Sequence, residues 1–421
     1  IRNVLEEKGC PYVEFNLLKT PEIIELITKS DTVEDLITNL SLFTDKPFKK
    51  GETFVFFDEI QEYKDITTKI KFWVDEGSFR YVFSGSLLGV ELKNIKSAPV
   101  GYLKTFTMYP MDFEEFLQIY NFTDELKQSL YQSFIERIPV NDVVHNKMMQ
   151  IFNTYLNVGG MPAAVNKFKE THNLEDVIAE HNDIVTQYKK DFTRYEMEGK
   201  KPYLTQIYDL IPAELNSCSK RFNYSDLKKG LRYERSEENF VWLSQAGVAL
   251  PVFNVTEPSI PLLLNEKSSL FKLFLSDIGM LTTMYGKATK IQVLSDNPNI
   301  NNGALYENVV AQELKAHGFK LYYYNSKKYG ELDFVIEYKG RILPIEVKSG
   351  KNYMRHSALS NIMNISNYSI DETFVLTNFN VEVKDNIVYY PIYMLMFITD
   401  ENVQLPTVDL FDLSGITHKM T

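Results

Sequence analysis

Cysteine is scarce in this 421-residue chain, which contains only Cys10 and Cys218. Two cysteines can build neither a disulfide framework nor a cysteine zinc site, and this favours a cytoplasmic protein. Long apolar runs are also lacking, since the longest are short and interrupted, as in YPIYMLMFI at 390–398. Residues 1–20 have neither the basic start nor the apolar core of a signal peptide. The sequence therefore predicts a protein without a membrane span.

The chain also lacks a positive net charge. It has 45 Lys and Arg residues and 56 Asp and Glu residues, so its formal net charge is −11. A surface of this sign does not coat nucleic acid or anionic membrane as a whole, so any contact with nucleic acid must be local. Two segments are locally basic. Residues 217–235 contain six basic and two acidic residues, and residues 315–355 contain nine and four. We expect DNA to bind through these segments.

The length of the chain indicates two to four domains, and 44% hydrophobic with 24% charged residues indicates a globular protein. Apolar runs predict strands at 11–17, 53–60 and 79–86 with helices between them, hence a parallel sheet in which the last two strands are buried. A helical pattern then continues to about residue 200. Three short helical patterns and a strand-like end at 201–258 are typical of a winged helix. From residue 303 the order is helix, three strands, helix and strand.

The segment TFVFFDEI at 53–60 has the form of a Walker B strand, with four apolar residues before Asp58 and Glu59. At the carboxyl end of a parallel strand, Asp58 would hold Mg²⁺ through water and Glu59 would polarise the water that attacks ATP. The next strand ends near Ser84 and Ser86, whose hydroxyl groups are predicted to contact the γ-phosphate or that water. The alternative is a core strand whose solvent end happens to be acidic.

A phosphate-binding loop of the form Gly-x-x-x-x-Gly-Lys-Ser/Thr does not occur in the sequence. The Gly-Lys pairs begin at 199, 286 and 350, and none is followed by Ser or Thr. The first residue is Ile1 and not Met. We expect either that the loop precedes Ile1 in the natural protein or that the core does not bind ATP in the usual way.

Several segments resemble one known family. They are, in chain order, VFFDEIQEYKD, YVFSGSLLGVEL, FTMYPMDFEEFL, VGGMPAAV, SDIGML, GALYENVVAQEL and GELDFVIEYKGRILPIEVKSGK. They resemble the bacterial and archaeal AAA+ ATPase-like family, in which an N-terminal ATPase precedes a conserved C-terminal domain of unknown function. The resemblance implies ATP binding, Mg²⁺-dependent hydrolysis and assembly into a homo-oligomer. It also implies a P-loop just before the strand at 11–17.

A second group of charged residues lies at 331–348. If Lys339-Gly340 is a two-residue hairpin turn, Asp333 lies opposite Glu346, with Cβ atoms about 5 Å apart. Like charges in this arrangement are unfavourable unless a cation binds them, and Mg²⁺ is the usual one. Lys348 would lie on the same face and orient or help deprotonate a metal-bound water.

Glu307 is predicted to be a further metal ligand, because it lies on the inward stripe of a helix over 304–317. The set Glu307, Asp333, Glu346 and Lys348, with the order of elements around it, resembles the PD-(D/E)xK nuclease fold. That resemblance implies phosphodiester hydrolysis with Mg²⁺ or Mn²⁺. Two alternatives stay open: a retained fold without cleavage, and a solvated hairpin face on which Glu331 pairs with Lys348.

The predicted fold class is α/β, with four segments along the chain. They are a parallel-sheet, P-loop-type ATPase core at 1–110, a helical lid or linker at 111–200, a winged-helix-like segment at 201–258 and a restriction-endonuclease-like α/β domain at 259–421. The predicted function is an AAA+-like ATPase coupled to a DNA-directed C-terminal module. The alternatives are a metal-dependent DNA nuclease and a non-enzymatic interaction scaffold with relic sites.

Overall fold

The structure is a computed structural model of the chain. The residues that it describes are 1–63, 66–85, 101–197, 203–295, 302–363, 365, 368 and 370–400. The chain divides into two compact units. The first is drawn from Ile1–Tyr109, Gly199–Leu204 and Arg235–Ala249, and the second from Pro110–Glu198, Thr205–Glu234 and Leu250–Thr421. The four segments expected from the sequence remain a prediction.

Three parallel strands form the sheet described in the first unit. They are β1 (Tyr12–Asn16), β2 (Phe54–Asp58) and β3 (Arg80–Phe83), in the order β1–β2–β3. The helices along the same part of the chain are α1 (Arg2–Glu7), α2 (Glu22–Lys29), α3 (Val33–Leu40) and α4 (Ile66–Glu76). A parallel sheet whose strands alternate with helices fits the predicted ATPase-like core.

The strand β2 lies in the centre of this sheet because its apolar residues form the core. Val55 and Phe57 are fully buried, and the Phe57 ring stacks on Trp73 of α4 at 5.8 Å between ring centroids. The strand β3 was also predicted to be buried, but Tyr81, Val82 and Phe83 are only half-buried. That prediction was wrong because β3 is an edge strand of the described sheet and pairs with β2 alone.

Beyond residue 110, helices fill most of the described residues up to about 200, as the sequence predicted, and further helices follow between the later strands. They are α5 (Phe113–Leu117), α6 (Asp124–Glu136), α7 (Asp142–Val158), α8 (Pro162–Thr171), α9 (Leu174–Met197), α10 (Leu204–Asn216), α11 (Tyr224–Leu227), α12 (Glu237–Gln245), α13 (Ile278–Tyr285), α14 (Lys287–Leu294), α15 (Gly303–Ala316) and α16 (Ser357–Met363). The break predicted at 159–162 separates α7 from α8. Within the described ranges, no helix combines the length and the apolar character needed to cross a membrane.

An eight-stranded sheet organises the second unit. Its strands are β4 (Ala249–Val255), β5 (Glu266–Leu275), β6 (Tyr322–Ser326), β7 (Gly330–Tyr338), β8 (Arg341–Val347), β9 (Thr373–Thr377), β10 (Glu382–Lys384) and β11 (Ile387–Pro391). Their order is β10–β11–β9–β8–β7–β6–β4–β5. The strands β6, β7 and β8 are antiparallel neighbours, and α16 connects β8 to the parallel strand β9. The predicted order from residue 303 is confirmed, whereas β5, β10 and β11 were not predicted.

The β7–β8 hairpin has the register that the sequence predicted. Phe334 faces Ile345, and Ile336 faces Leu343. Lys339 and Gly340 both have positive φ, +50° and +74°, as a two-residue type I′ turn requires. The turn therefore fixes which side chains of the two strands share a face.

The winged helix predicted at 201–258 is not confirmed. The helices α10, α11 and α12 are present, but α11 has only four residues. The strand-like end of the segment forms β4. This strand and its neighbour β5 lie in the eight-stranded sheet, where β4 pairs in parallel with β6. They extend the sheet of the second unit because their buried residues pack into its core.

The helix α15 is buried along most of its length and positions Glu307, one of the acidic residues predicted to bind a metal ion. Every residue from Ala304 to Leu314 is buried. Asn308 accepts a hydrogen bond from the backbone N–H of Leu275 at 2.9 Å and donates one to its carbonyl at 3.0 Å. These bonds tie α15 to the end of β5, so that Glu307 lies beside that strand.

Candidate functional site

Three polar side chains meet at the carboxyl edge of the three-stranded sheet. Asn16, the last residue of β1, is paired with Asp58, the last residue of β2, and Ser84 directly follows β3. Asn16 Nδ2 donates to Asp58 Oδ2 at 2.8 Å, and Ser84 Oγ donates to Asp58 Oδ1 at 2.5 Å. The structure thus brings Asp58 and Ser84 together, as the sequence predicted. Ser86 lies outside the described residues.

The sequence interpretation missed Asn16, although a signal was present. Asn16 ends the first predicted strand, at the position that Asp58 occupies in the second. Because the carboxyl ends of parallel strands meet at one edge of a sheet, a polar residue at each of these positions predicts a shared site.

Glu59 follows Asp58 in a turn with an unfavourable backbone conformation. Its φ of 56° and ψ of 45° lie in the left-handed region, which residues other than glycine rarely adopt. Its carboxylate accepts a hydrogen bond from Gln61 Nε2 at 2.5 Å. Such backbone strain clusters at functional sites, where the surrounding structure maintains it. The catalytic role of Glu59 remains a prediction.

Gly85 allows the turn after β3 to approach the turn after β2. A Cβ atom at this position would clash with Gln61 Oε1 and would lie 3.3 Å from Ile60 Cγ2. Glycine therefore permits Gln61 to reach Glu59.

The side chains at this sheet edge provide oxygen atoms that suit Mg²⁺ as ligands. Asp58, Asn16 and Ser84 contribute carboxylate, amide and hydroxyl oxygens, the kinds of ligand that Mg²⁺ prefers, directly or through water. Asp58 and Glu59 are both half-buried, so that solvent reaches them. The residues present fit the ion, and Asp58 is the one that would hold it.

A second candidate site lies in the second unit, on one face of the β7–β8 hairpin. Asp333 Oδ2 accepts a hydrogen bond from the backbone N–H of Val347 at 2.9 Å, and its carboxyl group contacts that of Glu346. Glu307 of α15 belongs to the same cluster, and both Glu307 and Glu346 are buried. The structure therefore brings together the three acidic residues that the sequence predicted.

Lysine side chains surround these carboxylates. Lys348 directly follows β8, and its Nζ lies 3.1 Å from Glu346 Oε2, as expected for side chains two positions apart in extended chain. Glu331, which one alternative paired with Lys348, instead lies 2.8 Å from Lys272 Nζ. Lys220, from the basic segment 217–235, forms an ion pair with Glu307.

Lys272 of β5 is a member of the cluster that the sequence interpretation missed. Its side chain is fully buried, and Nζ lies 3.5 Å from Glu307 Oε2 and 4.0 Å from Asp333 Oδ1. The signal was its place in the apolar run LFKLFL, because a lysine buried in such a strand requires an acidic partner.

Burial and neighbouring charges determine the pKa values of this cluster. Burial raises the pKa of Glu307, and burial together with the charge of Asp333 raises that of Glu346 well above its ordinary value. Burial alone would raise the pKa of Asp333, but Lys272 and the hydrogen bond with Glu346 lower it. Of the two facing carboxyl groups, Asp333 therefore holds the negative charge more readily.

In the part of the chain that the structure describes, no group of three or more acidic, histidine or cysteine side chains is arranged to hold a metal ion. Asp333 and Glu346 supply two carboxyl groups in contact, while the ammonium group of Lys272 lies within 4.0 Å of oxygen atoms of Glu307, Glu331 and Asp333. The metal roles proposed for Glu307, Asp333 and Glu346 remain predictions.

Exposed basic side chains occur in both segments that were predicted to bind DNA. In 217–235 they are Lys228, Lys229, Arg232 and Arg235, and in 315–355 they are Lys320, Lys327, Lys328, Lys339, Arg341, Lys351 and Arg355. Lys220 and Lys348 are instead engaged with the buried carboxylates.

Three family models match parts of the chain. Residues 3–117, which contain Asp58, Glu59 and Ser84, match an AAA domain. The N-terminal region is AAA-like. Residues 149–291 and 302–395 match two domains of unknown function, DUF8612 and DUF4143. The match of residues 3–117 supports the AAA-like part of the expected resemblance.

Two solved structures share weak similarity with the chain. The Walker-type ATPase of Pyrococcus abyssi is 13% identical with a TM-score of 0.36, over 65% of this chain and 84% of its own. A protein from Vibrio cholerae is 9% identical with a TM-score of 0.18, over 83% of this chain and 89% of its own. Both TM-scores are too low to bear on the fold. No curated protein matches the chain.

Proposed function

We propose that this protein is an ATPase that hydrolyses ATP in the presence of Mg²⁺ at the carboxyl edge of the three-stranded sheet. The observation that carries the proposal is the convergence of Asn16, Asp58 and Ser84 next to Glu59, inside the region that matches an AAA domain. The chemistry of these side chains matches the needs of phosphoryl transfer, which are positioning and charge stabilisation.

Each side chain has a distinct role in this proposal. Asp58 holds the ion, which supplies positive charge to the phosphate oxygens, and Asn16 and Ser84 orient the Asp58 carboxylate. Glu59 orients a water molecule toward the γ-phosphorus and accepts its proton as the bond to the bridging oxygen breaks. Gln61 holds the Glu59 carboxylate in place before substrate binds.

The decisive experiment compares nucleotide binding and hydrolysis by Glu59→Gln and by the parent protein, both produced as the natural full-length protein. We expect Glu59→Gln to bind ATP normally and to lose about 100-fold or more of the turnover. Glu62→Gln, in an exposed residue three positions later, is the matched control and should hydrolyse ATP like the parent. If the parent protein neither binds nor hydrolyses ATP with Mg²⁺, the proposal fails.

The second unit is proposed to be a DNA-directed module. The exposed lysines and arginines of segments 217–235 and 315–355 support this role, because phosphate contacts supply most of the non-specific affinity of proteins for DNA. Fluorescence anisotropy with a labelled duplex, over a series of salt concentrations, tests it. Binding that weakens steeply with salt is expected, and no binding at about 50 mM salt would contradict the proposal.

Cleavage of DNA is the alternative activity, carried by Asp333, Glu346 and Lys348 with Glu307 as a further ligand for Mg²⁺ or Mn²⁺. The contact between Asp333 and Glu346 favours it. The assay is DNA cleavage by the parent and by the double variant Asp333→Ala/Glu346→Ala, with Asp371→Ala/Glu372→Ala as the control. Cleavage that persists in the first double variant removes this alternative. If ATP hydrolysis and cleavage are both absent while a protein or DNA partner binds stably, the non-enzymatic scaffold is the function.

A further inference from the structure

The buried ammonium group of Lys272 is the least expected feature of the second unit. The side chain is fully buried in β5, between the apolar residues Phe271 and Leu273. Removing an ammonium ion from water is costly unless opposite charges and hydrogen-bond acceptors surround it. The surroundings of Lys272 must therefore compensate for this cost.

Three carboxylates from two different elements face this ammonium group. Lys272 Nζ lies 2.8 Å from Glu331 Oε1 and 4.0 Å from Asp333 Oδ1, both on β7, and 3.5 Å from Glu307 Oε2 on α15. The ring of Tyr323 covers another side, with its centroid 5.2 Å from Nζ. Oxygen atoms from separate elements converging on one point are typical of a cation site, and here a lysine fills it.

The charges of the cluster are close to balance without any ion. Four carboxylates are present, on Glu307, Glu331, Asp333 and Glu346, against the three ammonium groups of Lys220, Lys272 and Lys348. A divalent cation bound by Asp333 would give the cluster an excess of positive charge. It would also lie a few ångströms from the ammonium group of Lys272, which is fully buried and so poorly screened by solvent.

We propose that Lys272 is a built-in cation that replaces a metal ion in this carboxylate cluster, so that the cluster is a metal-independent junction between β5, α15 and the β7–β8 hairpin. This inference does not depend on the proposed ATPase activity. If the proposal holds, the second unit binds DNA but does not cleave it in a metal-dependent reaction. It also predicts that removal of the lysine turns the junction into a metal site.

The experiment is a titration with Mn²⁺, followed by electron paramagnetic resonance and calorimetry, in an Asp58→Asn background that removes the other proposed metal ligand. The background protein should bind no Mn²⁺ that depends on Asp333. Lys272→Met should bind one Mn²⁺ per chain, at least 100-fold more tightly than any residual binding of Mn²⁺ by the background protein, and adding Asp333→Asn to that variant should abolish this site. Lys272→Arg keeps the positive charge and should gain no Mn²⁺ binding.

For variants that fold, two results would overturn the proposal. One is Mn²⁺ bound by the background protein and lost on Asp333→Asn, and the other is a folded Lys272→Met variant that binds no additional Mn²⁺. If Lys272→Met does not fold in metal-free buffer, folding is measured with Mn²⁺ present. Recovery of the folded state by Mn²⁺ supports the proposal, and failure to recover contradicts it.

Discussion

The side-chain amide of Asn16 donates a hydrogen bond to Asp58, although the two residues lie on different strands and are 42 positions apart in the sequence. Ser84 donates to the other carboxylate oxygen. Asp58 is therefore held from both sides, by the residues at the ends of the neighbouring strands. A carboxylate fixed in this way needs little rearrangement to bind an ion, which is how preorganised sites reduce the cost of binding.

Asn16→Ala should lower ATP turnover about tenfold while reducing the free energy of unfolding by about 1 to 2 kcal/mol, the usual contribution of the two hydrogen bonds that its side chain makes with Asp58 and with the backbone N–H of Lys19. Steady-state hydrolysis and urea unfolding measure the two effects. Asn39→Ala is the matched control, because it removes a hydrogen bond of 3.1 Å to Ser30 in the same unit, away from the site. Equal losses of turnover in both variants would contradict the role of Asn16.

Gly85→Ala should reduce turnover without unfolding the protein. The added Cβ atom meets the end of the flexible Gln61 side chain, which has to leave its hydrogen bond with Glu59. The stability cost is therefore small, whereas the Glu59 carboxylate loses its orientation. Hydrolysis assays and thermal unfolding are the measurements. Gly350→Ala, where a Cβ atom meets nothing within 4 Å, is the control and should behave like the parent.

The double variant Lys228→Glu/Lys229→Glu should weaken DNA binding and reduce the slope of log affinity against log salt by about 2, one for each lysine that no longer binds a phosphate. Lys147→Glu/Lys169→Glu changes two exposed lysines outside both basic segments and should leave the slope unchanged. Lys220→Met should also leave the slope unchanged, because Lys220 is engaged with Glu307. A slope that falls equally in all three variants would show general attraction and no defined DNA-binding segment.

Glu313 should make the stability of the second unit depend on pH. It is fully buried, and its carboxyl group accepts hydrogen bonds from the hydroxyl of Tyr155 at 2.7 Å and from the backbone N–H of Phe113 at 3.0 Å. Burial, with a smaller effect of Asp112, raises the pKa of Glu313 to about 7. Because the pKa is raised in the folded state, the protonated carboxyl group stabilises the fold. This contribution to the free energy of unfolding is complete below pH 4.5 and is lost as the pH rises through 7.

The measurement is the free energy of unfolding of the parent and of Glu313→Gln from about pH 5 to about pH 8. The difference between them should change by up to about 3 kcal/mol, with the parent losing stability relative to the variant as the pH rises. Glu125→Gln, in an exposed residue of α6, is the control and should follow the parent. If the free energies of unfolding of the parent and of Glu313→Gln depend on pH in the same way, the expectation is contradicted.

Lys339→Asn should stabilise the β7–β8 hairpin by about 0.5 to 1 kcal/mol, because asparagine tolerates the left-handed region better than lysine and Asn-Gly is a preferred type I′ turn. The φ of Lys339 is +50°. Chemical unfolding measures the change. Lys327→Asn, at an exposed position without a positive φ, should produce no gain, and equal gains at both positions would show that the turn is not the cause.

The sequence predicted those parts of the structure that depend on short separations along the chain. The contact between Asp333 and Glu346 followed from the sequence because a two-residue turn fixes the register of the strands that carry them. Lys272 and Lys220 could not be placed beside them, because the packing of α15 against β5 brings these distant residues to the hairpin. Similarly, the order of strands in a sheet is a tertiary property, so the sequence pattern of β3 did not reveal its edge position.

The division of the chain into units has a consequence for its synthesis. The first unit includes Arg235–Ala249, which the ribosome makes after the long segment Pro110–Glu198 of the second unit. At about 5–20 residues per second, roughly 7 to 28 s pass between the translation of Tyr109 and that of Ala249. The first unit therefore remains incomplete for this time, even though its sheet is translated first.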